Sequence, residues 1–268
     1  MNRITLNLKL ICALCAFLWP VLVVAQESRN LTPLQLEIEK QQQRLSSSDQ
    51  EERRDAVMKL GSMRADAASR AALPALKDVS PIVRATAAKA ILSIGPDESS
   101  AVLTPLLNDK DEFVRREVAY ALGSTRGPET TIFLIDRLET DKEDGVRGAA
   151  AVALGQLREE AAVVALVRTL APELAPPAKS KRKREQNAFV LRAAAVALGQ
   201  IRSRAGTAAL VSVLKNEKLP DDVRREAARS LGMIGDPSAS EALKAATTAA
   251  DPYLSEIAHE ALRKLEHR

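Results

Sequence analysis

Few side chains in this sequence suit covalent or acid–base chemistry. The two histidines, His259 and His267, stand eight residues apart near the end of the chain. A histidine-based triad needs an acid and a nucleophile gathered around one ring, and a three-histidine metal site needs a ring that one copy lacks. Both cysteines, Cys12 and Cys15, fall in the first 25 residues. Beyond that segment, thiolate catalysis, disulfide stapling and cysteine metal sites are excluded. Guanidinium is what the chain offers in quantity. Arg53, Arg84, Arg115, Arg147 and Arg224 recur in one sequence frame, and each can grip a carboxylate or phosphate with two parallel N–H donors. A second concentration of cations is Lys179, Lys181, Arg182, Lys183 and Arg184, five in six positions. Such a run reads either as a solvated loop or as a docking loop for an anionic partner.

The elements that carry these arginines repeat. AAAVALGQLR occupies 149–158 and AAAVALGQIR occupies 193–202. Aligned on Gly155 and Gly199, the same frame is anchored at 61, 92, 123, 155, 199, 232 and 263, at spacings of 31, 31, 32, 44, 33 and 31. Small and aliphatic residues fall at helical spacing within each copy, as in Val118, Ala119 and Leu122, and the anchor glycine suits a helix end with positive φ. Pro81, Pro220 and Pro252 stand before the anchored helix, and Pro96, Pro128 and Pro237 before a shorter leucine-rich partner. One period is therefore a helix–turn–helix, with no strand signal between copies. Composition agrees, since 46% hydrophobic and 28% charged residues support a packed core while 3% aromatic is low for a cofactor pocket or base-stacking surface.

The frame carried by DEFVRREVAYALGSTRG from Asp111, SPIVRATAAKAILSIG from Ser80 and PDDVRREAARSLGMIGD from Pro220 resembles the HEAT repeat, in its short form named after phycobilisome lyases. The resemblance implies an all-α fold, a right-handed α-solenoid of about seven HEAT-like helix pairs, over the chain beyond its first 25 residues. In such solenoids the frame arginine bonds an acid or a helix end in the adjacent layer, which assigns Arg53, Arg84, Arg115, Arg147 and Arg224 to a structural ladder. Asp49 and Asp111, four residues before their arginines, suit that ladder. Ala87, Ala119, Ala151, Ala195 and Ala228 let neighbouring helices approach closely.

Residues 1–25 combine Arg3 and Lys9 with an uncharged run from Leu10 to Ala25 that contains Pro20, the pattern of a secretory signal peptide. Read as cleaved, it lowers the net charge from +4 to about +2 and leaves a single solenoid over 26–268 with no membrane span, an uncleaved N-terminal anchor being the alternative reading. The long spacing of 44 falls on an insertion at 172–187, where Pro176-Pro177 stops any helix and the basic run follows.

On the outer face of the anchored helices, which lines the concave side of such a solenoid, residues one and five places after the frame arginine lie i, i+4. Arg116, Tyr120, Val152, Arg192, Val196, Arg225 and Arg229 then form a trough with an apolar floor and basic walls. The expectation is a non-catalytic exported scaffold, periplasmic or extracellular, that binds a protein or peptide partner in this trough, with the basic loop clamping acidic residues. It requires no cofactor. Nucleic acid is not expected, because cations without stacking aromatics make a poor platform. An enzyme or enzyme subunit similar to the HEAT-like lyases or hydroxylases is the alternative, as is an anionic-polymer binder working through the loop. The deoxyhypusine hydroxylases of that group hold two irons with several His-Glu pairs, and here only His259-Glu260 matches.

Overall fold

A computed structural model describes residues 31–176 and 187–267, which form fourteen α-helices and no strand. In chain order these are α1 (Pro33–Arg44), α2 (Gln50–Ser62), α3 (Asp66–Ala72), α4 (Pro81–Ala90), α5 (Pro96–Leu103), α6 (Glu112–Thr125) and α7 (Thr131–Thr140). They continue as α8 (Asp144–Leu157), α9 (Val163–Leu170), α10 (Ala188–Ile201), α11 (Thr207–Lys215), α12 (Asp221–Ile234), α13 (Ser240–Ala246) and α14 (Pro252–Glu266). Even-numbered helices bear the repeated frame and pack on one another in a row, while the shorter odd-numbered ones form the second row of an α-solenoid. Residues 1–25, expected to be a signal peptide, and the basic run of 179–184 lie outside the described residues.

Local chemistry explains the helix starts. Pro81, Pro96 and Pro252 occupy the first helical position, and Pro128 and Pro237 open the short 3-10 turns that lead into α7 and α13. Asp49 and Asp111 are N-caps whose carboxylates accept from the backbone N–H of Glu51 at 3.0 Å and of Phe113 at 2.9 Å. They satisfy their own helices and are not the acids of the ladder.

The anchor glycines are not helix terminators. Gly123, Gly155, Gly199 and Gly232 lie inside their helices, where a Cβ would stand 2.7 Å from Ala153 Cα, 2.8 Å from Ala197 Cα, 2.9 Å from Ser230 Cα and 2.9 Å from Ala261 Cα. Each glycine is thus a hole filled by a small residue of the next layer, and any side chain would push the layers apart. Where Leu92 takes the glycine's place, α4 stops at Ala90 and a 3-10 turn, Leu92–Ile94, replaces its last turn. Left-handed backbone appears three residues after the anchor, at Arg64, Gly95, Arg126, Arg158, Arg202 and Gly235, with φ of 49, 93, 59, 59, 62 and 73°. Between the rows lies a leucine core, in which Leu60, Leu122, Leu154 and Leu198 of the long helices meet Leu103, Leu134, Leu166 and Leu210 of the short ones, all fully buried. The five expected alanines, Ala87, Ala119, Ala151, Ala195 and Ala228, are also fully buried.

The arginine ladder is built in the first three layers by acids from the next layer's loop. Arg53 grips Asp78 at 2.7 and 2.9 Å, Arg84 grips Asp109 at 2.8 and 2.8 Å, and Arg115 grips Asp141 at 2.7 and 3.0 Å. The remaining Nη1 of each donates to two backbone carbonyls at the end of the preceding helix, Ser47 and Ser48, Asp78 and Val79, Asp109 and Lys110. Burial alone would raise the Asp109 and Asp141 carboxyls, but the guanidinium and a backbone N–H more than offset it and hold both below the usual range. Arg53 does the same for Asp78.

The next rung is missing. Ala171 ends α9 where Asp78, Asp109 and Asp141 end the corresponding segments. Buried Arg147 turns instead to Asp144 of its own helix, and its Nε has no hydrogen-bond partner among the described residues. Leu191 replaces the arginine in the fifth layer. Arg224, in the sixth, donates to the Leu214 carbonyl and to Asp221, both at 3.2 Å. A ladder of five is therefore three full rungs, two arginines paired within their own layer, and a gap beside the insertion.

Candidate functional site

The exposed face of the even-numbered row is formed by a repeated contact between layers. The residue one place after the frame arginine meets the residue two places before the frame position in the next layer. A Cβ on Gly148 would lie 2.0 Å from the Phe189 ring, and one on Gly145 3.5 Å from Arg116 Cδ. The guanidinium of Arg225 stands 5.0 Å over the ring of Tyr253. In the first layers Met58, Ala85, Lys89, Phe113 and Glu117 enclose an open hollow of about 450 Å³ on this face.

The predicted walls of the trough are basic in residue type and neutral in net effect. Arg116 lies 4.9 Å over Phe113 and donates to Glu117 at 3.3 Å. Arg192 reaches Asp222 at 3.1 Å, Arg229 reaches Glu226 at 2.6 Å, and Arg225 grips Asp251 at 2.6 and 2.7 Å. The Arg225 guanidinium holds the Asp251 carboxyl below its ordinary range. These four arginines brace adjacent layers or their own helices. The expectation of basic walls is corrected because Glu117 and Glu226 on their own helices compensate Arg116 and Arg229, and Asp222 and Asp251 from the next layer compensate Arg192 and Arg225.

The floor has the expected character. Tyr120, Val152 and Val196 are half-buried at the same position of α6, α8 and α10. From Gly145 to Leu157, α8 presents no charged side chain outward, its one charged residue there, Arg147, being only 3% exposed.

Toward the C-terminal ends of these helices the same columns turn polar and then cationic. Tyr120, Ser124 and Arg126 follow one another on α6, Val152, Gln156 and Arg158 on α8, and Val196, Gln200 and Arg202 on α10. Ser124, Arg126, Gln156, Arg158 and Gln200 open onto a polar hollow of about 580 Å³. The sequence reasoning missed this strip and the acids Asp78, Asp109 and Asp141. The strip's signal is a column that reads Arg64, Gly95, Arg126, Arg158, Arg202 and Gly235, where long cationic side chains share a position with glycine. The acids lie 25 or 26 residues after their arginines, and their signal is an aspartate six residues before the next frame arginine, at 78, 109 and 141.

Among the described residues no group of three or more His, Cys, Asp or Glu is placed to hold a metal ion, and no helix is long and apolar enough to cross a membrane. His259 is exposed, and its neighbour Glu260 pairs with Lys264 at 2.6 Å.

The family model for HEAT repeats matches residues 38–122, 69–155, 106–181 and 175–263. No curated protein matches the sequence. Among solved structures, the chain is similar to the Escherichia coli protein YibA at 22% identity, over 87% of this chain and 82% of that one, with a TM-score of 0.59. It is also similar to the complex of CpcE and CpcF of phycocyanin lyase from Nostoc sp. at 26% identity, over 89% of each chain, with a TM-score of 0.51. An engineered protein matches at 23% identity, over 85% of this chain and 68% of that one, with a TM-score of 0.55.

Proposed function

Starting from a chain that belongs to the HEAT-repeat family, we propose that it is an exported, non-catalytic scaffold that seats an extended segment of a partner protein across α6, α8 and α10. The observation that carries the reading is the uncharged face of α8 between two half-buried apolar neighbours, Tyr120 and Val196. Solenoids stack layers so that one residue column becomes a continuous surface. Here that column is apolar over three adjacent layers, while Lys89 on one side and Arg229 on the other carry charge at the same position. A peptide laid across the layers would cover Val152 at the centre and leave the paired arginines at the rim, the usual distribution for a protein-binding surface. The phycocyanin-lyase neighbour, itself a complex of two chains, is consistent with a repeat surface used for assembly. Export rests on residues 1–25, and their fusion to a reporter active only outside the cytoplasm tests it.

Panning a random peptide display library on immobilised 26–268 tests the seat. Expected are clones that bind the wild type and lose binding to Val152→Asp and Tyr120→Ala. Clones that bind Val152→Asp as well as the wild type, or no enrichment at all, overturn the assignment.

A further inference from the structure

The polar hollow at the C-terminal ends of α6 and α8 and its extension to α10 has a chemistry of its own. Its lining includes two guanidiniums, two carboxamides and a hydroxyl, and no carboxylate. Among the described residues, Arg126, Arg158 and Arg202 make no side-chain hydrogen bond and no ion pair, whereas Arg116, Arg192, Arg225 and Arg229 are all matched by acids. All three are exposed and belong to adjacent layers.

Their backbone shows that the fold does not ask for arginine here. Arg126, Arg158 and Arg202 sit at φ/ψ of 59/23°, 59/29° and 62/27°, a left-handed conformation that costs a residue with a Cβ and suits glycine. The sixth layer uses Gly235 in the same conformation, at φ/ψ of 73/30°. A cation near a helix C-terminus gains something from the helix dipole, but that layer shows that the gain is dispensable. Three consecutive strained positions that keep a long cation unpaired with any described acid point to a ligand outside the chain.

We propose that Arg126, Arg158 and Arg202, with Gln156 and Gln200 between them, recognise the carboxylates of an acidic, extended peptide segment. The proposal rests on the partner-binding reading and deepens it by naming the partner's chemistry. Packed helices lie about 8–10 Å apart, and an extended chain in the polyproline-II conformation advances about 3.1 Å per residue with three residues per turn, so every third side chain falls on one face and meets one guanidinium per layer. Guanidinium is suited to bidentate capture of a carboxylate. Each carboxamide offers a donor and an acceptor, which match the C=O and N–H of a peptide backbone. A polyphosphate presents acceptors only and would leave the amide oxygens unused. The apolar column of Tyr120, Val152 and Val196, one helical turn away, receives side chains on the segment's other edge.

The test uses fluorescein-labelled synthetic peptides of about twelve residues with glutamate at every third position, an isomer with the glutamates contiguous, and two competitors, polyphosphate and oligothymidylate. Binding of the spaced peptide to 26–268 is followed by anisotropy. Expected are tighter binding of the spaced peptide than of its isomer, weakening as salt rises, and a loss of about fivefold for each of Arg126→Gln and Arg158→Gln, the ratio an exposed ion pair supplies. Arg64→Gln, two layers away from the strip, leaves binding unchanged. Arg158→Gly loses binding while its melting temperature stays level or rises, which a structural role would not allow. Equal binding of the two isomers, an equal loss for Arg64→Gln, or tighter binding of either competitor overturns the proposal. If library-selected peptides bind Arg158→Gln as they bind the wild type, the strip falls and the apolar seat stands. If the spaced peptide binds but Val152→Asp changes nothing for any peptide, the seat falls and the strip stands.

Discussion

Removing the carboxylate of Asp141 should cost this solenoid far more than removing that of Glu98, although an arginine grips each in two short bonds. Arg115 meets Asp141 at 2.7 and 3.0 Å, and Arg70 meets Glu98 at 2.7 and 2.8 Å. What separates them is water. The Asp141 pair is 7% and 2% exposed, and the Glu98 pair 49% and 42%. Asp141→Ala strands a buried guanidinium, a loss of about 3–5 kcal/mol. Glu98→Ala returns a solvated arginine to water and costs about 1 kcal/mol or less. For a chain of this size each kcal/mol moves the melting temperature by roughly 2–4 °C, so Asp141→Ala should melt about 6–20 °C below the wild type and Glu98→Ala within a few degrees of it. Because layers of a solenoid can open separately, hydrogen exchange should locate the loss at the junction of α6 with α7 and α8. Arg115→Met combined with Asp141→Leu should recover most of the stability, since no charge then remains buried. Equal losses for the two alanine variants, or a loss below about 1 kcal/mol at Asp141, would refute the claim that burial decides the value of the rung.

The same ladder sets an acid limit: Asp78, Asp109 and Asp141 all titrate below the ordinary carboxylate range. Their contribution is complete above the unfolded value of about 4 and is lost as pH falls through the lower folded values, so circular dichroism should show unfolding below about pH 4 that Asp109→Asn shifts upward. Gly155→Ala should destabilise by about 1–3 kcal/mol, because a Cβ 2.8 Å from Ala197 Cα outweighs the roughly 1 kcal/mol that alanine gains over glycine in an open helix; a more stable variant would contradict the close seam. Arg126→Gly and Arg202→Gly should each raise stability by about 1 kcal/mol in denaturant melts, and a loss of more than that would mean the arginine side chain is structural.

The fold was legible because its period is written in residue types that packing demands. Small residues at Ala119, Ala151 and Ala195 and core leucines one step on report local requirements that recur from layer to layer, and prolines mark several of the helix starts. The meaning of the anchor glycine was not legible, since a glycine at a helix end and one under a neighbouring backbone look alike in one dimension. Gly155 turned out to be the second kind, and the left-handed turn fell to Arg158, a residue type that does not announce one. The ladder's arginines were visible, but Asp141 lies 26 residues from Arg115, and although Asp78, Asp109 and Asp141 each stand six residues before the next frame arginine, nothing local pairs them with the arginine of the layer before. On the candidate face the apolar types at Tyr120, Val152 and Val196 were legible and the pairing of the neighbouring arginines was not. Arg192 and Arg225 read as free cations until Asp222 and Asp251 arrive from the next layer.

The seam that joins α8 to α10 also bears on how such a chain changes length. The two copies of the decapeptide differ only at Leu157 and Ile201, so an exchange between the coding segments for 149–158 and 193–202 excises 44 residues and leaves one nearly unaltered string in frame. The shortened chain runs from Arg158 directly into Ser203 and has one helix pair fewer, without the insertion at 172–187. It would set Gly155 against Ser230, the residue that now fills Gly199. Duplication by the reverse exchange adds a layer on equally familiar terms. A glycine hole met by a small residue is thus an interchangeable fitting, and the number of layers can drift by whole units while every joint that remains has already been tried.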